Sequence, residues 1–86
     1  MQFIHARQYL HEGDVVVVDC DHQCNVQILT DDQFARYKRG EGFEYVGGFY
    51  EYFPVQIVVP NTGYWNTTLD LAGRQANIRY NIGYLT

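Results

Sequence analysis

The chain has 86 residues, room for one domain and one core at roughly 100–200 residues per domain, and at 47% hydrophobic it is too apolar for intrinsic disorder. Ten acidic residues against six basic ones give a formal charge of −4, which argues against nucleic acid or an anionic membrane as partner, and no apolar run approaches the roughly 20 residues of a membrane span. Ser is absent and Lys occurs once, so serine-nucleophile chemistry is closed and a broad cationic surface is excluded.

Val, Ile and Thr supply 19 residues and the aromatics 14, whereas Ala and Leu together supply nine. β-Branched and aromatic side chains suit a pleated, half-buried surface, so the bias is toward strands. In chain order, residues 3–10 read as an opening strand. Residues 14–20, with four consecutive valines after Gly13, read as a central strand covered on both faces. Residues 24–30 continue, with Val26 and Ile28 on one face. The one helical segment spans 32–39: Asp31 can cap it, Gly40 can end it, and Phe34 and Tyr37, three apart, can pin it to a sheet. Residues 42–46 and 49–59 bracket a Gly47-Gly48 turn, and Pro54 removes a ladder donor, which predicts a bulge or an edge. Pro60-Asn61-Thr62-Gly63 is a turn by composition.

Two stretches alternate cleanly. Residues 64–71 place Trp65, Thr67, Leu69 and Leu71 inward against Tyr64, Asn66, Thr68 and Asp70 outward. Residues 74–84 place Ala76, Ile78, Tyr80, Ile82 and Tyr84 on one face. The link Ala72-Gly73-Arg74 is short enough to make them a hairpin. Strands at intervals of about ten residues, separated by Gly- and Pro-bearing turns, predict a single all-β domain over 1–86. Its architecture is a small, mostly antiparallel β-sandwich or flattened barrel of about seven strands with one short helix near 32–39.

Three groups of side chains could carry chemistry. Cys20, His22 and Cys24 lie in one turn and could hold a metal or cycle as thiols, but zinc asks for about four ligands and the turn supplies three at most. With only two Cys and no basic n-region followed by an apolar segment at the start, the expected compartment is the cytoplasm, the thiols are expected reduced and packed beside Val18 and Val26, and no cofactor is expected. Arg36, Lys38 and Arg39 form a basic corner that could dock an anion or nucleotide, although cations at a helix C-terminus also serve merely to offset its dipole. Tyr50 or Tyr52 together with Tyr64, and Asn66 beside them, would form an exposed recognition surface of aromatics and amide. No paired carboxylates or His with an orienting partner are evident, so no catalytic residue is assigned.

The motifs Phe3-Ile4-His5-Ala6-Arg7, Gly13-Asp14-Val15-Val16-Val17-Val18, Gln23-Cys24-Asn25-Val26, Gly47-Gly48-Phe49 and Gly63-Tyr64-Trp65-Asn66 resemble a small bacterial family, domain of unknown function 1883. The closing Gly73-Arg74-Gln75-Ala76-Asn77-Ile78-Arg79 fits as well. The resemblance implies a compact β domain that occurs alone or attached to signalling domains, and it brings no catalytic residues to transfer. The expectation is therefore a non-enzymatic binding module whose partner is another protein or a second copy of itself.

Overall fold

A computed structural model describes residues 3–71 and 77–86. Seven strands and one helix follow in the order β1 (Ile4–Leu10), β2 (Val15–Cys20), β3 (Cys24–Thr30), α1 (Asp31–Lys38), β4 (Val46–Tyr50), β5 (Val55–Val58), β6 (Gly63–Asp70) and β7 (Tyr80–Leu85). They build two antiparallel sheets, a four-stranded one in the order β1-β6-β3-β4 and a three-stranded one in the order β5-β2-β7. The sheets stack face to face as a sandwich, without closing into a barrel. No helix among the described residues is long and apolar enough to cross a membrane.

The core lies between the sheets. Alternation sends Val16 and Val18 from β2, Val26 and Ile28 from β3, Val55 and Ile57 from β5, and Trp65 and Leu69 from β6 into it, all at most 5% exposed. The Trp65 indole N–H donates to the Asn61 carbonyl at 2.8 Å, so the largest core ring carries no unpaired polar atom. A second, smaller cluster lies on the opposite face of the four-stranded sheet, where Phe34 and Tyr37 of α1 cover Leu29 and are flanked by Phe3 and Phe43. Rings meet edge-on there, Phe3 against Phe34 at 5.8 Å and Tyr37 against Phe43 at 5.1 Å.

Several expectations need correction. The 64–71 and 74–84 stretches do not form a hairpin. Both edges of β6 are taken, by β1 and by β3, so the last strand crosses to the other sheet and pairs with β2, Tyr80 opposite Cys20 and Leu85 opposite Val15. The expected link at 72–74, and strand residues 75–76, lie outside the described residues; the strand that is described starts at Tyr80. The valine run of β2 is central in its sheet but covered on one face: Val16 and Val18 are fully buried while Val15 and Val17 are partly exposed. Gly47-Gly48 is not a turn. Both glycines lie within β4, opposite Gln27 and Val26, and the chain then passes through a bend to β5 in the other sheet. Finally, Thr30 rather than Asp31 caps α1, its Oγ1 accepting from the Gln33 N–H at 3.3 Å. Of the strand expected over 42–46 only Val46 is in one, and the 49–59 stretch is broken between β4 and β5; Gly40 does follow the helix, at φ +74°, and Pro54 precedes β5, an edge strand.

Candidate functional site

Because Thr30 caps the helix, the Asp31 carboxylate is left to the neighbouring sheet. On β1 and the residue before it, every second side chain faces the helix side: Phe3, His5, Arg7 and Tyr9. On β6 the same side carries Tyr64, Asn66, Thr68 and Asp70. The register sets Tyr9 beside Tyr64, Arg7 beside Asn66 and His5 beside Thr68. These two strands and the first residue of α1 supply one connected group. Asp31 accepts a forked pair from Arg7, Nε to Oδ1 at 3.0 Å and a terminal guanidinium nitrogen to Oδ2 at 2.8 Å. Asn66, only 1% exposed, donates to Asp31 Oδ1 at 2.7 Å and to the Leu29 carbonyl at 3.3 Å. With its amide nitrogen so committed, Asn66 presents Oδ1 to His5 Nε2 at 2.8 Å, which makes His5 the donor in that bond.

Aromatic rings border this hub. The His5 ring lies parallel to Phe34 with centroids 4.2 Å apart. The Arg7 guanidinium lies 3.8 Å over the Tyr64 ring, and Tyr9 meets Tyr64 edge-on at 5.1 Å. His11 stands edge-on to Tyr9 at 5.5 Å. Tyr9 and Tyr64 are each about half exposed. The electrostatics agree with the geometry: the hydrogen bonds from Arg7 and then Asn66 lower the Asp31 carboxyl to about 2, and the bond to Asp31 raises Arg7 in turn. An aspartate held that far below neutrality is a fixed anion that orients Arg7. It is a poor proton acceptor near neutral pH.

The residues singled out from sequence divide into separate places. Tyr64 and Asn66 belong to this face, but Asn66 is buried rather than outward, because the first residues of α1 pass over it. Tyr50 ends β4 and packs against the main core, and Tyr52 lies in the bend beyond it, 85% exposed; β3 separates β4 from β6, so neither tyrosine shares a strand pair with Tyr64. Arg36, Lys38 and Arg39 are engaged within their own helix end. Arg39 pairs with Glu41 at 2.6 Å, Arg36 lies between Asp32 and Glu41 at 3.8 and 4.0 Å, and Lys38 sits 4.6 Å over the Phe34 ring. The acids around them offset the charge an anion would need.

The Cys-His-Cys turn is likewise taken apart. Both thiols are free and buried, Cys24 fully, and both belong to the main core. Burial first, and then the neighbouring Cys20, push the Cys24 thiol up to about 12, which withholds the thiolate that metal binding and exchange require. His22 points to the surface with Nδ1 2.7 Å from Asp21, and among the described residues no group of three or more His, Cys, Asp and Glu is placed to hold a metal ion. Next to this turn, Asp19, Cys20, Asp21, Arg79, Tyr80 and Asn81 line an open groove of about 290 Å³. Asp21 ties its walls together, exchanging backbone and side-chain hydrogen bonds with Arg79.

From the sequence, His5 is at most a conceivable fourth ligand to the Cys20-His22-Cys24 turn and Asp31 a helix cap or one of several acids that could gather round calcium, while Arg7 and Tyr9 carry no site assignment. The signal for three of them was present, since Phe3, His5, Arg7 and Tyr9 alternate along one strand face as aromatic and cationic side chains. Nothing local pointed to Asp31, whose partners lie 24 and 35 positions away.

Fold and surface together define a small antiparallel β-sandwich domain with one covering helix and a Tyr-Arg face braced from beneath by an Asn-Asp pair. The profile of the family described as a domain of unknown function, DUF1883, matches residues 1–85, and the chain belongs to that family. Neither a curated protein nor a solved structure matches it.

Proposed function

We propose that this domain is a non-enzymatic protein-interaction module that meets its partner with the Tyr9, Arg7 and Tyr64 face. The observation that carries the reading is the Arg7 guanidinium, held in a fork on Asp31 with its carbon 3.8 Å from the centre of the Tyr64 ring. Tyr and Arg dominate the energetic centres of protein interfaces. Ordering a long side chain on binding costs roughly 0.5–1.5 kcal/mol, and here Arg7 is ordered beforehand. Tyr9 and Tyr64 add large, half-exposed rings with few rotatable bonds, the properties of recognition surfaces that bind without rearrangement. A protein partner also suits the acidic character of the chain, which opposes nucleic acid and anionic membranes.

Selection of displayed random peptides on the immobilised domain tests this. Enriched peptides are expected to lose at least about tenfold in affinity when Tyr64→Ala or Arg7→Ala replaces the wild type, a change of about 1.4 kcal/mol or more. Tyr64→Ala should keep the native unfolding transition, since its ring is about half exposed, and Arg7→Ala should keep a single cooperative transition at a lower midpoint, since it removes the fork that holds Asp31. Enriched peptides that bind these variants as well as they bind the wild type would refute the proposed face.

A further inference from the structure

The four-stranded sheet ends at β4, whose outer edge has no strand partner among the described residues. Edge strands ordinarily carry a charge, a proline or a covering segment that prevents pairing with another chain. Two of the other edges have such features, Arg7 in β1 and Pro54 and Pro60 on either side of β5; β7, Tyr80–Leu85, has neither charge nor proline. β4 reads Val46-Gly47-Gly48-Phe49-Tyr50 and holds neither charge nor proline, and Tyr45, Val46 and Phe49 stand 46%, 38% and 50% exposed along it.

We infer that β4 pairs antiparallel with β4 of a second copy of this chain about a two-fold axis through Gly48, joining two four-stranded sheets into one of eight strands. The sequence around Gly48 is complementary to itself. The axis sets Phe49 opposite the other copy's Gly47, so that an aromatic ring covers the surface a glycine leaves bare. It sets Val46 opposite Tyr50, a β-branched and aromatic pair of the kind that stabilises sheets. The paired residues 46–50 include no carboxylate, so the axis brings no like charges together although the chain carries −4 overall. The two-fold also preserves the faces: residues 46, 48 and 50 share the sandwich side through their pairing with Ile28, Val26 and Cys24, and they meet their own kind across the axis. A symmetric, isologous contact is the commonest arrangement of homodimers. One short strand on each side buries less than the roughly 1,200 Å² of a standard interface, so the association is weak and reversible.

Sedimentation from about 10 μM to about 1 mM tests it, together with a cross-link at the axis. The wild type is expected to pass from monomer to dimer across that range, and Val46→Lys and Phe49→Lys each to weaken the dimer at least tenfold. A Cβ at Gly48 meets nothing within 4 Å, so Gly48→Cys leaves the monomer intact. Either pair type of an antiparallel ladder brings opposite Cα atoms within disulfide range, so mild oxidation should link two Gly48→Cys chains, whereas Val58→Cys chains on the opposite sheet should stay apart. A strict monomer at the highest concentration overturns the inference. So does a dimer indifferent to both lysines, or a lysine-sensitive dimer in which Gly48→Cys fails to cross-link.

Discussion

Asn66 joins three elements with one amide group: β1 through His5, α1 through Asp31 and β3 through the Leu29 carbonyl. Asn66→Ala removes all three bonds, which costs about 1–3 kcal/mol by the usual penalty for buried polar groups that lose a partner. Urea unfolding should show this as a lower midpoint at unchanged slope. Asp31 gives the hub a pH signature. Its carboxyl is lower in the fold than in the unfolded chain, so its stabilisation is fully present above about pH 4 and is lost as the pH falls toward 2. Asp31→Asn should therefore flatten the decline of the unfolding midpoint between pH 4 and pH 2, and leave the slope above pH 5 unchanged. In the core the chemistry is muted. With Cys24 raised to about 12, an alkylating reagent at pH 8 should modify Cys24 in the unfolded chain at least about a hundredfold faster than in the native one. Brisk native labelling of Cys24 would contradict the burial described above.

At the scale of the element, β4 shows how one pair of residues carries two opposite meanings. Gly47 sits at φ +128°, and a Cβ there would run into the Val26 carbonyl oxygen; Gly48 has an ordinary φ and open space around it. Gly47→Ala should then cost about 2–3 kcal/mol, combining backbone strain with a close approach, while Gly48→Ala stays within about 0.5 kcal/mol in the monomer. Composition suggests a turn at Gly-Gly because both functions of glycine, reversal and close approach, leave the same mark on a sequence. Local signals served better where a single physics was involved. The helix was legible from Asp32, Phe34, Tyr37 and Gly40, and missed only in its cap, since Thr30 and Asp31 are both good capping residues and what decides between them is Arg7, distant in sequence. Thr30→Ala should cost about 1 kcal/mol in thermal or urea unfolding.

For the whole molecule, the two-sheet, seven-strand plan was readable from strand periodicity, and the partnership of strands was not. The 64–71 stretch alternates as a strand should, yet it is buried on both faces and bonded on both edges, so the next strand has no place beside it. Pairing is a global decision: β1 closes on β6, with Ile4 opposite Leu69, and β2 on β7, with Val15 opposite Leu85. The same distance in sequence hid the candidate site, which exists only once β1, β6 and the start of α1 are assembled. Closure of such long loops before any contact rewards them makes folding slow, in the range of milliseconds to seconds for β-sandwiches, and stopped-flow refolding should find the main phase there rather than in microseconds.

Trp65 gives the molecule its own optical probe. It is the only tryptophan of the chain, its indole is sealed between the sheets, and its N–H is bonded to the Asn61 carbonyl. Its emission should be blue-shifted and shielded from aqueous quenchers, and should move to the red only when the two sheets part. The Tyr9–Tyr64 face and the β4 edge both lie outside that sealed layer. A variant that loses binding or dimerisation with its fluorescence spectrum unchanged has lost a surface, and one whose spectrum shifts has lost the fold.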